Sequence, residues 1–413
     1  MTEEDSNQIY LLVNASSKYF GDLLRKHLES LKIIVTPLEI IKKTYSNGEK
    51  LIRIDIENPS DLFGKDCIYV SALLNDSDFM DLFRIGSSLS SFGTRSRIFV
   101  IPFLGYSTME RATKFGEVVT CKANLRLLSQ LPSYGIGNSF LFMDLHVSGI
   151  LHYFEGSVLR AELYGQDVLT DGLKQCGLEE NSMFATADLG RPKWVEAFAK
   201  SFKTDIALVR KTRDGTNTEV KNVIGDVKGK HVIIYDDMTR SGGTLIHAAD
   251  GYMEHGALSV SCILSHLALT TESVVDSLNK SCLTRIISTN SHPFTQRPHL
   301  NANIYSSTQT KITGSKFHVF DCSYKFAEAI RDILRPNIIH SFVGIQNYST
   351  NVLVPYKQFP SPHSPSPNRL TGVHISSLPT LPDVQAPHPH PSVAQKTGES
   401  EQITVTCIDE EEN

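Results

Sequence analysis

The chain has one tryptophan in 413 residues and seven cysteines, which stand singly at 67, 121, 176, 262, 282, 322 and 407 with no CxxC pair. Neither a disulfide framework nor a zinc site is indicated, and a reducing compartment is expected. Charge of one sign is also missing. Forty Lys and Arg against 45 Asp and Glu leave a net charge of −5, so there is no global electrostatic case for a nucleic-acid partner. No apolar run approaches membrane-spanning length. The first ten residues, MTEEDSNQIY, are acidic where a signal peptide has a basic start. A cytoplasmic protein without membrane or nucleic-acid partners is therefore expected. At 413 residues and 40% hydrophobic, the chain can bury the cores of two domains and carry a tail.

What is present centres on HVIIYDDMTRSGGTL at 231–245. Val232 to Tyr235 form an unbroken apolar run, as in a strand covered on both faces of a parallel sheet. Asp236 and Asp237 come where that strand should end, which is where open α/β sheets bind ligands. Adjacent carboxylates there suit sugar hydroxyls or a metal. Ser241, Gly242, Gly243 and Thr244 then open a helix expected to start near Leu245, and backbone N–H groups at such a turn cradle a phosphate. The spacing lacks the Gly-Lys-Ser/Thr ending of a Walker loop.

Strand and helix patterns alternate elsewhere. Ile9 to Val13 reads as a strand, 19–31 as a helix, and 33–35 and 50–56 as further strands, the last two separated by a turn at 45–49. Residues 68–70 and 98–101 read as buried strands flanking a helix with Phe79, Leu82, Phe83 and Leu89 near one face. A helix ending near Leu128, a strand from Phe140 running into Asp144-Leu-His146, a Trp-containing helix and a strand at 206–209 complete the pattern. It argues for parallel sheets in two α/β domains.

Seven segments in register carry a resemblance: YSNGE at 45–49, IPFLGY at 101–106, MDLH at 143–146, Asp188 with Gly190, ALVRKTR at 207–213, GDV at 225–227 and the DDM loop at 236–238. Their order resembles that of ribose-phosphate pyrophosphokinases over about residues 8–345, and the sugar loop alone is shared with phosphoribosyltransferases. The resemblance implies two phosphoribosyltransferase-like domains, each with a central, mainly parallel sheet flanked by helices. The family moves the β,γ-diphosphoryl group of ATP to the anomeric hydroxyl of ribose 5-phosphate, releasing AMP. It implies Lys211 and Arg213, in a loop after a strand, as catalytic cations, and His146 with Asp188 as the holders of Mg²⁺. Tyr45, Asn47 and Glu49 would meet the nucleotide of a neighbouring subunit. Asp236, Asp237 and the stretch Ser241, Gly242, Gly243 and Thr244 would bind ribose 5-phosphate. A homo-oligomer built from dimers, such as a hexamer, follows from the shared nucleotide site.

Among the positions that depart from the family's common form, Thr108 stands where an arginine usually contacts the nucleotide, and Arg240 replaces an acidic residue before Ser241. Both changes resemble the plant-type, phosphate-independent class, with Arg111 as the replacement nucleotide contact. The domain expectation is 1–155 and 156–316 for the two α/β domains, 317–345 for a strand and helix packing back on the first, and 346–413 for a disordered tail rich in Pro, Ser and His. Ser361, Ser364 and Ser366 each precede proline in that tail. A noncatalytic subunit of the same fold is the alternative function, and a phosphoribosyltransferase a third.

Overall fold

The computed structural model describes residues 8–188, 192–214, 217–305, 309–310, 314–334 and 350–353. Of 193, 210–214, 217–222, 309–310 and 350–353 it describes the backbone only. The N-terminal strands are β1 (Ile9–Val13), β2 (Val35–Leu38), β3 (Ile40–Thr44), β4 (Lys50–Ile54), β5 (Asp66–Val70), β6 (Ser96–Ile101), β7 (Gly137–Met143) and β8 (Leu159–Leu163). Three helices are interspersed: α1 (Lys18–Ser30), α2 (Asp76–Ser91) and α3 (Thr120–Ser129). The later strands are β9 (Ser182–Thr186), β10 (Ile206–Asp214), β11 (Asn217–Ile224), β12 (His231–Thr239), β13 (Ser259–Leu267), β14 (Leu283–Thr289), β15 (Asn303–Tyr305), β16 (Gln309–Thr310), β17 (Phe317–Phe320) and β18 (Thr350–Leu353). With them come α4 (Gln166–Cys176), α5 (Pro192–Phe202), α6 (Gly243–Glu254), α7 (Glu272–Lys280) and α8 (Ser323–Leu334).

Among the described residues the first sheet has the order β18-β8-β7-β6-β5-β1-β2 and the second β11-β10-β9-β12-β13-β14-β17-β15-β16. Every pairing from β8 across to β2 is parallel, and the second sheet is parallel from β10 to β15 with antiparallel edges. Burial on both faces explains the continuous apolar runs: every residue of β5, β6 and β7 is buried. In β12 the two-residue alternation is legible in the packing. Val232 and Ile234 enter a core with α6 and β13, whereas Ile233 and Tyr235 enter a core shared with the first sheet.

That shared core takes Leu141, Met143, Ala161 and Leu163 from the first sheet and Phe184, Ile263 and Ile287 from the second. The helix α1 contributes Phe20, Leu24 and Leu28, a four-residue spacing that lines one face. Phe20 meets Phe326 of α8 edge-on at 5.5 Å. His27 Nε2 lies 2.7 Å from Asp321 Oδ2, and the Tyr19 hydroxyl donates to the Asn290 carbonyl at 2.8 Å.

Several expectations shift. The strand expected at 33–35 begins at Val35, and β3 was not foreseen. The first sheet takes in β8, so its chain continues beyond the expected boundary at 155. In the segment from 317, α8 packs on α1, whereas β17 belongs to the second sheet, between β14 and β15. Within the expected tail, Thr350–Leu353 pairs antiparallel with β8; the rest of that segment, with Ser361, Ser364 and Ser366, lies outside the described residues.

Candidate active site

In the second sheet β9 connects to β10 on one side and β12 lies on the other, so the strand order reverses between β9 and β12. Ligands of open α/β sheets bind beyond the carboxyl ends of the strands at such a reversal. Asp188 follows β9 there and is exposed, while Asp236 and Asp237 sit in the last part of β12, which runs on to Thr239 rather than ending at the aspartates. The alternation that directs Ile233 and Tyr235 toward the first sheet directs Asp237 the same way. Its carboxylate is 4% exposed and meets His146 Nδ1 at 2.8 Å. Burial, then the negative charges of Asp237 and Asp188, push the Asp236 carboxyl well above its ordinary value. Negative charge crowded in this way favours either a proton or a cation beside Asp236.

His146 is delivered by the segment after β7, which is pinned from several sides. The Asp144 N–H donates to the Leu163 carbonyl at 3.0 Å, and the Leu145 N–H to Glu162 Oε1 at 2.9 Å. Gly165 N–H donates to the buried Asp144 carboxylate at 3.1 Å. Across the gap between sheets, His266 Nε2 donates to the Asp144 carbonyl at 3.2 Å, a role fixed because a carbonyl only accepts. Asp144 is held at φ +37°, a conformation that persists only where surrounding contacts over-determine it. Glu162 and His266 were not singled out from the sequence. Glu162 is a fully buried acid in a strand, with no local pattern to mark its role.

Gly242, at φ +75°, ends the connection and α6 begins at Gly243, two residues before the expected start. A Cβ at 242 would lie 3.2 Å from Leu278, so both conformation and space favour glycine. Ser241 and Thr244 are exposed beside the first amides of α6, which have no carbonyl one turn earlier in their own helix. The arrangement can receive an anion. Among the described residues no three His, Cys, Asp or Glu side chains form a group able to hold a metal ion alone. Mg²⁺ with a nucleotide needs only one or two protein carboxylates, because phosphates and water fill its shell. The crowded carboxylates of Asp188, Asp236 and Asp237 fit that requirement.

Residues 102–119, following β6, contribute further contacts with the second half. Phe103 stands edge-on to both His266 (5.2 Å) and His292 (4.6 Å). It joins Ala72, Ala268, Leu74 and Met238 in a small apolar cluster drawn from both halves. Burial, reinforced by the charges of His266 and Arg240, pushes His292 down to about 3; its Nδ1 accepts the Phe294 N–H at 3.1 Å. Tyr106, at φ +60°, donates its hydroxyl to Asp76 Oδ1 at 2.6 Å. The two departures noted in the sequence meet here: an Arg240 guanidinium nitrogen donates to Thr108 Oγ1 at 2.9 Å. Arg111 is 79% exposed and 3.4 Å from Glu110.

Tyr45, Asn47 and Glu49 occupy the turn of the β3–β4 hairpin, closed by Tyr45 N–H to Glu49 O at 2.9 Å, and residues 42–50 are exposed. None of the hydrogen bonds among the described residues joins that turn to Asp236, Asp237 or His146. Positions 211 and 213 fall within β10, paired antiparallel with β11, rather than in a loop, and only their backbone is described. The corresponding reversal in the first sheet, between β1 and β5, is closed by the chain itself. Lys42 Nζ donates there to Asn14 (2.9 Å) and Asp81 (2.7 Å), and Asn14 to Ser71 (3.0 Å).

Paired sheets with a phosphate-type cradle at one reversal define an α/β protein of the phosphoribosyltransferase type. The model of the phosphoribosyl transferase domain matches residues 193–301, and that of the N-terminal domain of ribose phosphate pyrophosphokinase matches 10–131. A ribose-phosphate pyrophosphokinase of Hyphomonas neptunium is 32% identical over 252 residues, covering 60% of this chain and 77% of that one. One from Helicobacter hepaticus is 30% identical over 301 residues, covering 72% and 88%. The crystal structure of phosphoribosylpyrophosphate synthetase from Mycobacterium smegmatis superposes with a TM-score of 0.66 at 21% identity, covering 80% of this chain and 99% of that one. The chain belongs to the ribose-phosphate pyrophosphokinase family.

Proposed function

We propose that the protein is a ribose-phosphate diphosphokinase, transferring the β,γ-diphosphoryl group of ATP to the anomeric hydroxyl of ribose 5-phosphate to give 5-phosphoribosyl 1-pyrophosphate and AMP for nucleotide biosynthesis. The observation that carries the reading is the juxtaposition of Asp237 with His146 from the opposite sheet, beside the Gly242 turn. In that reading, sugar and nucleotide contacts would lie side by side.

In this reading the amides opening α6, with Ser241 and Thr244, take the 5-phosphate, while Asp236 and Asp237 hold the ribose hydroxyls. His146 and Asp188 would hold the Mg²⁺ of the nucleotide, which when bound would neutralise phosphate charge. The anomeric oxygen attacks the β-phosphorus as the bond to the AMP oxygen breaks. Lys211 and Arg213 stabilise the charge that develops, since phosphoryl transfer depends chiefly on positioning and electrostatics. Arg111 and the exposed hairpin bearing Tyr45, Asn47 and Glu49 serve the nucleotide, the hairpin reaching a neighbouring subunit. Its exposure in the single chain supports a homo-oligomer built from dimers. Six described cysteines, all free, support a reducing, cytoplasmic setting.

The test is AMP release from MgATP and ribose 5-phosphate, with and without inorganic phosphate, for the wild type and Lys211→Ala. Ribose-dependent AMP that is lost in the variant is expected, and phosphate independence would assign the plant-type class. A folded wild type releasing no AMP in either buffer would overturn the reading in favour of a noncatalytic subunit.

A further inference from the structure

The contact between Arg240 and Thr108 joins residues 132 positions apart, one from each half of the molecule. Each end is fixed independently. On the first side, Met109 N–H donates to the Tyr106 carbonyl at 2.8 Å, Tyr106 is tied to Asp76, and the Tyr153 hydroxyl donates to the Glu110 carbonyl at 2.6 Å. Thr108 thus lies in a turn held on both flanks. On the second side, the Arg240 carbonyl accepts the Thr270 N–H at 3.3 Å, and the residue immediately precedes the Ser241 to Thr244 cradle. Beneath both loops, Phe103 and Ala72 pack on Ala268 and Met238.

The apolar cluster fixes the loop bases, but the hydrogen bond at 2.9 Å lies out where the cradle begins. Arginine suits this position: its planar fork has five N–H donors, so one can engage Thr108 while the charge remains at the junction. We propose that Arg240 is a positioning residue, latched by Thr108 across the cleft so that the 102–119 loop and the sugar-phosphate cradle move as one unit. Binding of ribose 5-phosphate at the cradle then orders the loop that faces the nucleotide, and nucleotide binding orders the cradle. This inference rests on the proposed assignment of the two loops to the two substrates. The latch itself does not depend on turnover.

The experiment uses the full chain and the variants Arg240→Gln, Thr108→Val and the double variant. Hydrogen exchange reads the latch without ligand: Arg240→Gln should raise exchange several-fold at 105–111, and Thr108→Val should do so at 240–246, with the two halves' core strands unchanged. Steady-state rates then read its consequence. Each single variant should lower kcat/KM for ribose 5-phosphate by about tenfold, the scale of one lost hydrogen bond to a charged group, and the double variant should fall no further than the worse single. Exchange in each variant confined to its own side of the cleft, or kinetic losses that multiply in the double variant, would overturn the latch. A wild type with no ribose-dependent AMP would sink the enzyme reading instead, leaving the exchange result to decide the latch.

Discussion

His146 Nδ1 lies 2.8 Å from the buried carboxylate of Asp237, and this contact joins the end of β7 to the end of β12. A carboxylate there holds the imidazole with its Nδ1 proton toward Asp237. His146→Ala should reduce kcat about 10- to 100-fold, the usual cost of losing an orienting group of this kind, and raise the Mg²⁺ concentration needed for half-maximal rate. Loss of the His146–Asp237 hydrogen bond should lower stability by about 1.5–3 kcal/mol. Unchanged Mg²⁺ dependence in the variant would remove His146 from the nucleotide site.

Asp236 gives a prediction of opposite sign for stability. Its carboxyl is raised above its ordinary value by burial and by the charges of Asp237 and Asp188. The folded state therefore binds the proton more tightly than the unfolded state, and the stability this confers is complete below the unfolded value and lost as pH rises through the folded one. At neutral pH an ionised Asp236 is a liability. Asp236→Asn should melt at a higher temperature than the wild type at pH 7.5 in EDTA, and added Mg²⁺ should raise the wild-type melting temperature more than the variant's. KM for ribose 5-phosphate should rise about 10- to 100-fold, as for one charged hydrogen bond. A lower melting temperature in EDTA would mean that the repulsion is already relieved within the protein.

The strand, aspartate pair and glycine turn were legible because the apolar run of Val232 to Tyr235 and the left-handed Gly242 are local signals. Other elements left no such trace. The sequence of β3, IIKKT, presents three exposed positions and resembles a surface loop. In β8, LRAEL carries an arginine and a buried glutamate, which break the continuous apolar run of a covered strand. Lys211 and Arg213 suggested a loop by charge, yet backbone pairing extends β10 through both. Thr108 and Arg240 were each visible as departures, but their hydrogen bond spans 132 residues and is a property of the folded chain alone.

Gly242 and Gly243 should separate a folding role from a binding role. Alanine at 242 would adopt φ +75° with its Cβ 3.2 Å from Leu278 Cδ2, 3.3 Å from Leu278 Cγ and 3.4 Å from Val274. The left-handed conformation alone costs about 1–2 kcal/mol, so Gly242→Ala should melt several degrees lower and bind ribose 5-phosphate less well. At 243 the nearest atom to an added Cβ is Ser241 Oγ at 3.8 Å, an ordinary contact. Gly243→Ala should therefore melt close to the wild type while KM for ribose 5-phosphate rises, because the methyl group crowds the phosphate at the first turn of α6. Thermal melts and initial rates on both variants distinguish these outcomes. An unchanged KM in Gly243→Ala would show that the phosphate does not approach that turn.

His292 supplies a pH dependence that can be isolated. Burial pushes it from an ordinary value of 6.5 down to about 3, and its Nδ1 accepts the Phe294 N–H, which requires that nitrogen to be unprotonated. The unfolded chain takes up a proton below pH 6.5 while the folded chain does not, so the contribution is fully present above that value and is lost as pH falls toward 3. At pH 5 the difference of 1.5 pH units below the unfolded value amounts to about 2 kcal/mol from this residue. Asparagine at 292 keeps an acceptor at the start of the 3₁₀ turn over Pro293–Gln296 and removes the titration. Loss of the ring facing Phe103 should lower stability at all pH values by about 0.5–1.5 kcal/mol. Urea unfolding at pH 8 and pH 5 separates the constant loss from the slope: His292→Asn should be the less stable protein at pH 8 and lose about 2 kcal/mol less than the wild type on acidification. Equal losses in the two proteins would mean that His292 is not kept neutral by its burial.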